Sequence, residues 1–171
     1  GLPKHITATT GMDALTHAVE AYIGRSTNAF TRKMAEDAVK LIYENLKTAY
    51  DDGQNKKARE NMLEAAYCAG IAFSRSYVGY VHAVAHSLGG QYGTPHGLAN
   101  AVLLPYFLEE YGIACQRKLA KLARFAGMVP KHTSDYRAAA YFIQWVKDMN
   151  DYMGIPAKLK EIRLADIPIM S

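Results

Sequence analysis

Disulfide pairing, membrane insertion and nucleic-acid binding all find little to work with in this 171-residue chain. It has two cysteines, Cys68 and Cys115, too few for a disulfide framework. Each stands in an alanine-rich helical context, so both read as buried free thiols in a reducing compartment, the cytoplasm. No uninterrupted apolar run reaches the ~18 residues that a membrane span needs, and no stretch has the make-up of a signal peptide. The net charge of +4 is modest and dispersed. Lys56, Lys57 and Arg59 form one basic group and Arg117, Lys118, Lys121 and Arg124 another; both read as solvated helix faces. A nucleic-acid partner would call for a denser stripe, or aromatics set for stacking. Neither a membrane nor a nucleic acid is therefore expected as a partner.

What is present suffices for an ordinary globular core. Half of the residues are hydrophobic and 21% are charged. The length fits a single domain spanning residues 1–171, and a domain of this size buries roughly two thirds of its unfolded surface without staples. Gly1-Leu-Pro is not a translation start, and Asp166-Ile-Pro-Ile-Met-Ser stops just after a helix start. A piece of a longer protein, truncated at both ends, is expected.

The pattern is helical almost throughout. Met12, Leu15, Val19, Tyr22 and Ile23 follow a 3.6-residue period, with Thr9 or Thr10 as N-cap. A longer helix is predicted over 28–52, capped by Asn28 and followed by Gly53. The next, over 57–75, is rich in small residues that allow close approach, and is expected to be the central one. A short helix over 79–88 precedes the breakers Gly89, Gly90, Gly93 and Pro95. His96 then opens a helix to about Tyr111, which Pro105 is expected to kink or split. Helices over 114–126 and 134–153 follow, the second capped by Thr133 or Ser134 and ended at Gly154-Ile-Pro156; Pro168 lies near the start of a last one. No alternating strand pattern, repeat or low-complexity linker interrupts them. The expected class is all-α, a bundle-like helical domain.

Chemistry is concentrated in two clusters. Asp13 and His17 are four residues apart, as are His82 and His86, and His96 follows across the Gly/Pro-rich turn. Helical residues at that spacing share one face, one turn apart. Asp13, His17 and Glu20 fall on a stripe distinct from the apolar one, so they can converge while the neighbouring face packs. One carboxylate with neutral imidazoles suits Fe(II) or Zn(II), whereas the missing thiolates exclude a zinc knuckle or an iron–sulfur cluster. An isolated Asp-x3-His is weak evidence and a single His-x3-His moderate; both together, with His96 ten residues later on a Gly/Pro turn, are strong evidence. Five candidates exceed a tetrahedral shell, so one does another job; spacing does not say which. His5 and His132, near a terminus and in a polar loop, read as surface histidines.

The segments carrying these residues are long and specific. Thr9-Thr-Gly-Met-Asp-Ala-Leu-Thr-His-Ala-Val-Glu-Ala-Tyr22, Val81-His-Ala-Val-Ala-His-Ser-Leu-Gly-Gly90 and Tyr92-Gly-Thr-Pro-His-Gly-Leu-Ala-Asn100 closely resemble the iron-containing (group III) alcohol dehydrogenases. The resemblance extends over essentially the whole chain. It implies the helical, dehydroquinate synthase-like C-terminal domain of that family, with Asp13, His17, His82 and His96 as metal ligands. It makes His86 the spare histidine, on the nicotinamide side, positioning that ring or relaying a proton. The metal, Fe(II) or Zn(II), would polarise an alcohol oxygen while hydride passes to NAD or NADP. The partners implied are a small alcohol or aldehyde and, for the full-length enzyme, a second copy in a homodimer.

One departure is large. The family's N-terminal α/β nucleotide-binding domain has no counterpart in this chain, and Gly89-Gly-Gln-Tyr-Gly93 follows a helix rather than a strand, so it fails as a dinucleotide fingerprint. Catalysis needs hydride donor, metal and substrate held together, so the chain alone is expected to be inactive. Three other readings stand beside this one: a zinc-dependent, glycerol dehydrogenase-like polyol oxidation, a metal-dependent phosphohydrolase and a non-catalytic helical interaction domain. The full Asp plus three His set favours the iron branch, and no His is followed by Asp, as a phosphohydrolase site would want.

Overall fold

A computed structural model describes residues 2–24, 27–75 and 96–158. Among these the fold is all-α, as expected: α1 Lys4–Ile23, α2 Ala29–Asp51, α3 Lys56–Ser74, α4 His96–Tyr111, α5 Ile113–Phe125 and α6 Asp135–Tyr152. No described helix is long and apolar enough to cross a membrane. The expected helices at 79–88 and near Pro168 lie outside the described residues.

The central helix is α1, not α3. It packs against α2, α3, α4 and α5, and its sequence shows why this is possible. Alanines and a glycine (Ala8, Gly11, Ala14, Ala18, Ala21) let neighbours close in on every side, while Met12, Leu15 and Val19 fill the space between them. A helix apolar all round is a buried helix. From Gly11 to Tyr22 only Asp13 and His17 keep partial exposure; even Glu20 is buried. The small residues of α3 do give close packing, but on one face only. Ala65, Ala69 and Ala72 are buried, whereas Leu63, Ala66, Tyr67 and Gly70 face outward.

Local start signals were mostly legible. Asn28 caps α2 through a capping box, its Oδ1 accepting from Thr31 N at 2.9 Å while Thr31 Oγ1 accepts from Asn28 N at 2.8 Å. Ser134, rather than Thr133, caps α6. Thr9 and Thr10 are not caps. The helix begins a turn earlier, after Pro3, and their hydroxyls donate back to the carbonyls of His5 and Ile6, at 2.9 and 2.7 Å. Gly154, at φ 72°, ends α6 in the left-handed region, and the chain then turns so that Ile155 N donates to Asn150 O at 2.8 Å.

Two basic residues expected on a solvated face instead tie elements together. Lys118 donates to the carbonyl of Ile23 at 3.2 Å, satisfying an orphan acceptor at the end of α1. Arg124 binds Thr133 O and Asp135 Oδ1, both at 2.6 Å, and so fixes the loop between α5 and α6. Cys68 and Cys115 are buried and free, and burial pushes both thiols up from their ordinary range.

Pro105 does not split α4, which runs continuously through it from His96 to Tyr111. Proline removes the N–H that would have bonded the carbonyl of Ala101. Asn150 on α6 supplies the missing donor: its Nδ2 reaches Ala101 O at 2.7 Å. A tertiary amide thus replaces the lost helical bond.

Candidate metal centre

Asp13 and His17 open the only gap in the buried run of α1, and the start of α4 lies across it. The crossing is close because of Gly97. A Cβ there would sit 2.8 Å from the carbonyl oxygen of Thr9, one turn before Asp13. With glycine the first turn of α4 rests on the α1 backbone, and the neighbouring His96 and Asn100, themselves four residues apart, come down on Asp13.

The Asp13 carboxylate is therefore met from two helices. His96 Nδ1 lies 3.2 Å from Asp13 Oδ1, within hydrogen-bond reach, and His17 Nε2 lies 3.7 Å from Asp13 Oδ2, beyond it. Asn100 Nδ2 donates to Asp13 Oδ1 at 2.5 Å. The carboxylate and the His17 imidazole are about a quarter exposed and His96 about half, so the cluster is open on one side. Behind it, Phe73 of α3 stacks on His17 with ring centroids 4.5 Å apart and planes at 25°.

The donor set suits a divalent cation. Metal–nitrogen and metal–oxygen bonds of about 2.1 Å put two donors of one tetrahedral shell roughly 3.4 Å apart. The two imidazole–carboxylate gaps, 3.2 and 3.7 Å, bracket that spacing. The described residues alone do not complete a site: no group of three His, Cys, Asp or Glu side chains among them converges as a metal cage. His82 and His86 lie outside the described residues, as does the turn of Gly89, Gly93 and Pro95. His5 and His132 are both exposed, as surface histidines should be.

Two residues of this cluster were not picked out from the sequence. Asn100 carried a signal, its four-residue spacing from His96, although a neutral amide is not among the usual ligands of such a metal. Phe73 carried none, because its contact with His17 spans 56 positions of chain.

Comparison with known proteins bears on this arrangement. The family model described as "Fe-containing alcohol dehydrogenase family, C-terminal" matches residues 7–168. The 1,3-propanediol dehydrogenase of Citrobacter freundii is 46% identical, over 100% of this chain and 45% of its own length. The NADPH-dependent butanol dehydrogenase of Clostridium saccharobutylicum is 40% identical, over 94% of this chain and 40% of its own. A crystal structure of 1,3-propanediol oxidoreductase superposes with a TM-score of 0.91 at 44% identity, covering 97% of this chain and 44% of that one. The chain thus spans less than half the length of the curated relatives it matches.

Proposed function

The chain belongs to the Fe-containing alcohol dehydrogenase family, and on that premise we propose that it is the metal-binding portion of an NAD(P)-dependent dehydrogenase interconverting a small alcohol and its aldehyde or ketone. The observation that carries this is the Asp13 carboxylate faced by imidazoles from two helices. In this reading residues 1–171 act as one helical metal-binding domain. Asp13, His17, His82 and His96 hold Fe(II) or Zn(II), and His86 serves the nicotinamide side.

When bound, the metal supplies a Lewis acid that polarises the substrate oxygen. The chain's own residues do the holding. Asp13 contributes the single negative charge, which offsets part of the dication without closing the site to a neutral substrate. Phe73 keeps the His17 ring in one plane, so that its Nε2 stays directed at the carboxylate. The open side of the cluster, where His96 is half exposed, is where substrate and nicotinamide would approach.

The nicotinamide dinucleotide is proposed on the strength of the family and of a relative named for NADPH dependence. In this reading the dinucleotide domain that the family resemblance implies lies outside the all-α described residues, so the chain alone is expected to turn over no alcohol. The cytoplasm and a homodimer are proposed for the full-length enzyme.

Metal analysis of the purified chain, loaded anaerobically with Fe(II) or with Zn(II), tests the reading. About one divalent ion per chain is expected, with loss on His82→Ala or His96→Ala. A chain that retains no metal under either condition would favour a non-catalytic helical domain instead.

A further inference from the structure

The geometry points to Asn100 as a positioning residue for the metal-binding carboxylate: it fixes the orientation of Asp13 while leaving its charge available to a cation. The inference rests on the metal-binding reading above. Three observations support it. The side chain is fully buried, at 0% exposure, between the buried Ala99 and Ala101, so water does not compete for its amide. Its Nδ2 donates to Asp13 Oδ1, the oxygen that also faces His96, while Oδ2 faces His17. Its own Oδ1 has no hydrogen-bond partner among the described residues. Turning the amide over would set that oxygen against the carboxylate, so only one orientation of Asn100 is compatible with Asp13.

The chemistry of the side chain fits the task. A carboxylate is free to swing about its terminal torsion, which is broad and roughly two-fold. A donor fixed to one oxygen stops the swing and keeps each oxygen opposite its own imidazole. A lysine or arginine in this place would also stop it, but would neutralise the charge and repel a dication. A neutral amide orients without competing. Because Asn100 shares a face of α4 with His96, and Gly97 seats that face on α1, one rigid element sets both the ligand candidate and the group that orients its partner.

The test measures metal affinity rather than turnover. Apo protein is titrated with Zn(II) against a competing chelator, and Co(II) absorption bands report the coordination geometry at saturation. Asn100→Ala is expected to weaken Zn(II) binding by roughly 10–100-fold, the usual effect of losing an outer partner of a metal ligand, and to shift the Co(II) bands. Asn100→Ser, which keeps a shorter donor, should fall between the two and gives a reading if the alanine variant does not fold. Folded variants with wild-type affinity and wild-type Co(II) bands would overturn the inference and leave the metal reading standing. A wild-type chain that binds neither ion would overturn both.

Discussion

Helix α4 meets two buried asparagines at consecutive residues, 100 and 101, and they do different things. Near its start, Asn100 reaches out of α4 to the carboxylate of Asp13 on α1. At the very next residue, Asn150 reaches in from α6 to the carbonyl of Ala101, left without a donor by Pro105. Both amides are buried, at 0% and 6% exposure, and both leave their own Oδ1 without a partner among the described residues. Their acceptors separate them. A backbone carbonyl needs one donor and is then satisfied, so Asn150 completes the architecture. A carboxylate with two oxygens and one N–H from Asn100 keeps unused acceptor capacity and a full negative charge. The same residue type completes the backbone at Ala101 and, one residue away, leaves Asp13 ready for chemistry.

Removing the acceptors is the strongest way to break this comparison. On the proposed reading, Asp13→Ala takes away the only carboxylate of the ligand set. Its effect on metal affinity should exceed the ~10–100-fold expected for changes outside the ligand shell. Equilibrium dialysis against Zn(II) reads it directly. Retained affinity would mean that Asp13 is merely the neighbour of a site built elsewhere. Gly97→Ala comes next. The new Cβ would meet the Thr9 backbone, at 2.8 Å from its oxygen and 3.1 Å from its carbon, and backbone cannot step aside as a side-chain tip can. Overpacking of this kind costs about 1–3 kcal/mol. The relief available, α4 lifting off α1, would carry His96 and Asn100 away from Asp13. Denaturation and metal titration should therefore both report a loss; a stability loss with unchanged affinity would uncouple the crossing from the site.

What could be read in the sequence follows the range of the interaction. Asn28 and Ser134 were recognisable as caps because a cap bonds a backbone group three residues away. Asp13 and His17 were recognisable as a pair because they share one helix face. Thr9 and Thr10 misled because a hydroxyl serves equally well bonding back inside a helix that starts earlier. The failures with longer reach share a cause. The centrality of α1 depends on its being small-sided all round, a pattern that resembles the small-residue run of α3 until the outward placement of Leu63, Tyr67 and Gly70 is seen. The continuity of α4 depends on an amide 49 residues beyond Ala101. The contact of Asn100 with Asp13 spans 87 residues and depends on a missing Cβ at Gly97.

The architectural asparagine can be tested by a double-mutant cycle. Asn150→Ala leaves the Ala101 carbonyl without its donor, a loss of about 1–3 kcal/mol for a buried group. The lower part of that range is expected, because Asn150 and Pro105 line a cavity of about 300 Å³ that can admit water. In a Pro105→Ala background the helix regains its own N–H for Ala101, so the same Asn150→Ala change should cost less than it does alone. Non-additivity between contacting residues is what such a cycle isolates. Metal affinity should stay at the wild-type level in all of these variants. Equal costs in the two backgrounds would mean that Asn150 stabilises the fold by some route other than the proline gap.

The smallest expected effect belongs to Gly70 and sets a scale for Gly97. Both glycines lie in helices. A Cβ at Gly70 would meet nothing within 4 Å, and the residue faces outward on α3. There the only consequence of alanine is the restriction of a freer unfolded chain and a better helix former, a gain of roughly 0.5–1 kcal/mol. Gly70→Ala should raise the urea midpoint slightly and leave metal binding alone, opposite in sign to Gly97→Ala on stability. The contrast attributes the Gly97 result to its contact with Thr9 rather than to any general intolerance of alanine in these helices. A loss at Gly70 would show that the outer face of α3, with Leu63 and Tyr67 beside it, is covered in solution by another part of the protein or by a second copy.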